Sequence, residues 1–148
     1  MALLAPADQE QLRAAFSEMT GSVRLLFFTQ TIDCEPCGLT RQILDELPAL
    51  SDRIEIEEVN FVLDKEKAAQ YAIDRVPAIA VLGQNGGGEA TEDSRIRFLG
   101  TPSGYEFISL VQAIRLVGGA GSTLTDENRL RIAAVDTPVT MRVFTTPT

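Results

Sequence analysis

The sequence predicts an α/β fold on a mixed central sheet. A βαβ half precedes a ββα half, with an extra N-terminal helix and a C-terminal helix–strand extension. Three observations lead there. Two nearly continuous apolar runs, residues 23–29 (VRLLFFT) and 78–82 (AIAVL), read as strands buried on both faces. Segments between and after them carry apolar residues every three or four positions, the spacing of helices with one buried face. The glycine-rich stretch 83–88 (GQNGGG) separates residues 78–82 from 95–99 (RIRFL) by a length that suits a hairpin rather than a helical crossover.

In chain order, Leu12, Ala15, Phe16 and Met19 recur at helical spacing behind Pro6 and Asp8, which suit a helix start, and Gly21 breaks the run. Residues 23–29 follow as the central strand. After a short turn holding Cys34 and Cys37, the residues Leu39, Ile43, Leu44, Leu47 and Leu50 keep one helical face apolar, and Pro48 ends or kinks that helix near its last turn. Ile54, Ile56, Val59 and Phe61, with charges between them, give a second strand, and residues 64–71 (DKEKAAQY) a short helix. Val76-Pro77 introduces the third strand. The glycines of 83–88 lack the lysine of a phosphate-binding loop and lie between two strands, so a hairpin accounts for them better. Pro102 and Ser103 open a helix whose buried face is Phe107, Leu110, Val111, Ile114 and Val117, with Gly118 and Gly119 at its end. Residues 126–134 (DENRLRIAA) read as one further helix.

Composition narrows the function. A chain of 148 residues, 45% apolar and 23% charged, is enough for one domain with a real core. Its net charge of −8 argues against nucleic acid as partner, because binding there needs a basic footprint, and against an anionic membrane surface. No apolar run approaches the roughly 20 residues of a spanning helix. The first residues lack the charged and apolar regions of a secretion signal, so a cytoplasmic address is expected. The chain has no histidine, which removes Ser-His and Cys-His pairs, imidazole bases and histidine metal sites. Its only two cysteines stand as Cys34-Glu35-Pro36-Cys37, a spacing used for redox chemistry or for metal. Zinc needs four ligands and this pair supplies two, so carboxylates or a second chain would have to complete it. We expect a dithiol with no metal and no other cofactor.

CxxC after the first core strand, with Val76-Pro77 before the third, resembles the thioredoxin fold over roughly residues 23–117. The extra N-terminal helix and the C-terminal extension make the chain similar to the N-terminal unit of the tandem-thioredoxin protein disulfide oxidoreductases, or glutaredoxin-like proteins, which carry two fused units. An internal match agrees. Residues 139–145 (VTMRVFT) align without gaps on 23–29, with Val, Phe and Thr coinciding at 23/139, 28/144 and 29/145. On this reading residues 1–120 are a thioredoxin-like domain with its N-terminal helix. Residues 121–148 are a connecting helix and the first strand of a second, truncated unit, whose own cysteines would lie just past Thr148.

The resemblance implies a thiol–disulfide oxidoreductase. Cys34, at the helix N-terminus, would be the nucleophile, its thiolate stabilised by unpaired N–H groups and the positive end of the helix dipole. Cys37, one turn inside, would be the resolving thiol. Asp33, Glu35 and Pro36 would tune the pair. The two acids place negative charge beside Cys34, and Pro36 lacks an N–H, which together favour a reducing rather than a strongly oxidising site. Pro77 would be a cis-proline facing the cysteines, with the Val76 backbone pairing to substrate like an added strand. Two positions depart from thioredoxin: Asp33 stands where it has Trp, and Phe28 where it has a buried Asp. Glu58, on the neighbouring strand, is then the candidate proton acceptor. The expected partners are disulfide-containing proteins and a flavin-dependent disulfide reductase. An alternative is a weakly active docking or electron-relay domain of a larger tandem redox protein, like the N-terminal part of a peroxide-reducing flavoprotein system.

Overall fold

A computed structural model describes residues 3–84 and 91–146, in the order α1 (Pro6–Ser17), β1 (Ser22–Thr29), α2 (Glu35–Asp45), β2 (Ile54–Asn60), α3 (Lys65–Gln70), β3 (Ala78–Gln84), β4 (Glu92–Leu99), α4 (Tyr105–Val117) and α5 (Asp126–Ala133). The four strands form one sheet in the order β2-β1-β3-β4. β1 runs parallel to β2 and antiparallel to β3, and β4 returns antiparallel to β3. This is the mixed sheet the sequence predicts. Residues 85–88 of the expected hairpin connection lie outside the described residues.

Alternation along β1 divides the core in two. Val23, Leu25 and Phe27 point to one face, where they meet Phe16 and Met19, Leu44 and Leu47, and Leu110 and Ile114. Leu26 and Phe28 point to the other, against Val59, Ala68, Ile73 and the small residues Ala78 and Ala80. Helices α1, α2 and α4 therefore cover one face and α3 the other. Each fully buried Leu or Phe contributes about 1.5–3 kcal/mol relative to exposure. The strand that carries the most such residues, β1, is also the one whose following turn leads to the cysteines.

The end of α4 is built into the turn between α1 and β1. Gly118 accepts hydrogen bonds from the N–H groups of Thr20 and Gly21, each at 2.9 Å. A Cβ at Gly118 would come within 2.6 Å of the Met19 side chain. Gly119 has φ +86, a left-handed conformation, and a Cβ there would meet the Thr20 hydroxyl at 2.4 Å. The two glycines thus act as a close-packing contact as well as a helix stop.

Three elements differ from expectation. Helix α2 stops at Asp45, so Leu47 and Leu50 reach the core from the turn that follows, while Leu39 is exposed. β4 starts at Glu92 rather than at Arg95. It is an edge strand, where charges such as Glu92, Asp93 and Arg95 are tolerated, and Arg95 (φ +64) lies at a register shift opposite Val81 and Leu82. Residues 139–145 form no strand, and every one of them is exposed. A strand needs a partner edge, and among the described residues none pairs with this segment. Among the described residues no helix is long and apolar enough to cross a membrane.

Candidate active site

The first turn of α2 is set by its own residues. Cys34 is the N-cap, Glu35 supplies the first-turn acid, and Pro36 sits at a position where the missing N–H costs no helical hydrogen bond. Cys34 and Cys37 are joined in a disulfide, with their Cα atoms 5.4 Å apart. The two sulfurs live in different surroundings. Cys34 is partly exposed at the helix end, and Cys37 is 4% exposed on the inner face. Asp33 takes a left-handed conformation (φ +57) that brings the chain from β1 into the helix, and both Asp33 and Glu35 face solvent. Among the described residues no group of three or more His, Cys, Asp or Glu could hold a metal ion.

Val76-Pro77 is a cis peptide, with Pro77 buried and Val76 partly so. The Pro77 carbonyl accepts the Gly100 N–H at 2.8 Å. The next residue, Thr101, brings its hydroxyl within 3.3 Å of the Pro36 carbonyl between the two cysteines. The loop after β4 therefore touches both the cis-proline and the CxxC turn. It also reaches Thr40, whose completely buried hydroxyl lies 2.8 Å from that of Thr101 and 2.9 Å from the Pro36 carbonyl.

Glu58 does not occupy the place of a buried proton acceptor. Its side chain is about half exposed and is gripped by Arg41, with Nη2 donating to Oε1 at 2.8 Å and Nη1 to Oε2. The hydrogen bond from Arg41 to Glu58 holds the guanidinium pKa above its ordinary value. Arg41 also lies over the Phe27 ring, 5.8 Å from its centroid, so the pair ties α2 to β2. Phe28 fills the interior instead, fully buried against Tyr71 with ring centroids 6.3 Å apart. Among the described residues no carboxylate is buried; the buried hydroxyls there are those of Thr29 and Thr40. Sequence reasoning missed Thr40, Thr101 and Arg41. A polar residue on the inner face of α2, three positions after Cys37, was the available signal for Thr40.

No family model matches the chain. A protein of Methanothermobacter thermautotrophicus described as "Probable Thioredoxin" is 30% identical over 79 residues, covering 53% of this chain and 80% of the relative. The chain belongs to the thioredoxin family. Among solved structures, the NTD_N/C domain of the alkylhydroperoxide reductase AhpF from Enterococcus faecalis superposes with a TM-score of 0.77 at 28% identity, over 88% of this chain and 60% of that one. A protein disulfide oxidoreductase from Aeropyrum pernix shares the fold, with a TM-score of 0.70 at 20% identity over 88% and 54% of the two chains. The chain thus spans little more than half the length of these two structures. A CxxC pair closed as a disulfide at the head of α2 makes this thioredoxin-family chain a thiol–disulfide oxidoreductase.

Proposed function

We propose that this thioredoxin-family chain reduces disulfides in proteins, with Cys34 as nucleophile and Cys37 as resolving thiol. The observation that carries the assignment is the unequal burial of the two sulfurs within one four-residue turn. A thiolate at Cys34 sits where helix N–H groups and the dipole favour negative charge, and where another chain can reach it. It attacks one sulfur of the substrate disulfide, forming a mixed disulfide as the other sulfur leaves as thiolate. Cys37 then gives up its proton and attacks Cys34. The second substrate sulfur leaves, and the protein's own disulfide remains. Two electrons pass from the protein to the substrate, and a dithiol or a flavin-dependent disulfide reductase must return them.

The backbone of Val76 is the docking edge for the substrate chain, beside the cis bond at Pro77. Pro36 and the exposed acids Asp33 and Glu35 set the reducing bias of the turn. The reaction belongs in the cytoplasm on this reading. Dithiothreitol-driven reduction of insulin tests it. The purified chain should precipitate insulin B chain and Cys34→Ser should not, whereas normal turnover by that variant removes the mechanism.

A second reading draws on a separate observation. The likeness at 28% identity to one domain of AhpF covers most of this chain, and Leu130, Ile132, Val139, Met141, Val143 and Phe144 are all exposed. Residues 1–120 would then be the thioredoxin-like unit, and residues 121–148 the passage into a second unit that covers those apolar groups. The chain would act as an electron relay or docking domain within a larger redox protein. Fast exchange with a flavin reductase and slow exchange with insulin would favour it.

A further inference from the structure

Three oxygens meet beneath the CxxC turn: the Pro36 carbonyl and the hydroxyls of Thr40 and Thr101. The separations are 2.9 Å from Thr40 to Pro36, 3.3 Å from Thr101 to Pro36, and 2.8 Å between the hydroxyls. Two hydroxyl protons serve three edges, so one edge is always without a proton; with a proton on the shortest edge, the 2.8 Å contact between the hydroxyls, two arrangements remain. Thr40 donates to Pro36 while Thr101 donates to Thr40, or Thr101 donates to Pro36 while Thr40 donates to Thr101. In both, Thr101 stays bound to the active-site helix. Its neighbour Gly100 is bound to the Pro77 carbonyl at 2.8 Å. A continuous path therefore runs from the residue between the cysteines, through the loop after β4, to the residue beside the docking edge.

We infer that Thr101, seated on the buried Thr40, is a positioning residue that sets the distance between the CxxC turn and the Val76-Pro77 edge. The inference rests on the proposed docking role of that edge. A protein disulfide must engage both at once, its backbone on Val76 and its sulfur in line with Cys34. A small disulfide engages only Cys34. Losing the clamp should therefore penalise protein substrates selectively, since misplacement by a fraction of an ångström matters only where two contacts must be made together.

The test compares kcat/KM for insulin with kcat/KM for hydroxyethyl disulfide, in wild type, Thr101→Val and Thr101→Ser. Valine keeps the shape and removes the hydroxyl; serine restores it. The insulin-to-small-disulfide ratio should fall about three- to tenfold in Thr101→Val, the rate equivalent of one neutral hydrogen bond. It should return to within about twofold of wild type in Thr101→Ser. Equal losses for both substrates, or a serine variant as poor as valine, overturns the clamp. Thr40→Val, checked by its melting temperature, must lower the same ratio if the triangle acts as a unit, and an unchanged ratio in a folded Thr40→Val overturns it as well. Wild type with no preference for insulin over the small disulfide would instead refute the docking role of Val76-Pro77, which separates the two failures.

Discussion

Reducing the Cys34–Cys37 disulfide should lower the melting temperature, by an amount that follows from the loop it closes. The bond joins residues three apart, so the closed loop holds four residues. Cross-linking so short a loop removes unfolded-chain entropy worth about 2 kcal/mol at 25 °C. For a folded unit ending near Val117, roughly 0.25 kcal/mol/K of unfolding entropy converts this to a fall of about 7–8 °C. The same free energy links stability to redox chemistry. A disulfide favoured by about 2 kcal/mol in the folded relative to the unfolded chain corresponds to a folded-state potential about 40 mV more negative. Circular-dichroism melts of the oxidised chain and of the chain reduced with a phosphine measure the first quantity. Glutathione titrations in buffer and in guanidinium measure the second. A reduced form that melts at or above the oxidised one would refute the reasoning, because the fold would then stabilise the dithiol and the site would act as an oxidant.

Two further outcomes bear on the site and on the sheet edge. Cys37→Ser should stop after the first step and accumulate the mixed disulfide with insulin or a peptide disulfide, visible as an adduct by mass spectrometry; a variant that turns over without an adduct removes Cys37 from the resolving role. Asp93 is held below the usual carboxylate range, first by its hydrogen bond from Arg97. A depressed folded-state pKa gives stability that is present above the unfolded value of about 3.9 and is lost as pH falls through the lower, folded value. Urea midpoints between about pH 6 and pH 2.5 should therefore drop less steeply below about pH 4 in Asp93→Asn than in wild type. Parallel curves would show that the Asp93–Arg97 pair does not couple stability to pH.

How much of this was legible depended on whether a residue's environment is set by its neighbours in sequence or across the fold. The run Val23 to Thr29 could only be a buried strand, because an uninterrupted apolar run must hide both faces. The face of α4 from Leu110 to Ile114 was equally plain from its spacing. The cysteines were placed correctly because a strand, a turn and a helix start are all local. Thr40 and Thr101, by contrast, are 61 positions apart, and nothing in either segment marks the other. The place of Glu58 on the neighbouring strand suggests an acceptor, whereas the side chain that claims it, Arg41, sits on a helix face that periodicity describes only as polar. The match of residues 139–145 to 23–29 shows the opposite limit. Strand-like sequence specifies alternation and bulk, and pairing comes only from an edge in the right place.

The division of the core by β1 has a consequence for the cysteine pair. Val23, Leu25 and Phe27 serve one layer and Leu26 and Phe28 the other, so a shift of this strand by one residue would exchange the contents of two differently shaped interiors. The cysteines stand at the head of α2, one short turn after that same strand. The register that sorts these two layers is therefore the same one that leaves Cys34 partly exposed and Cys37 sheltered.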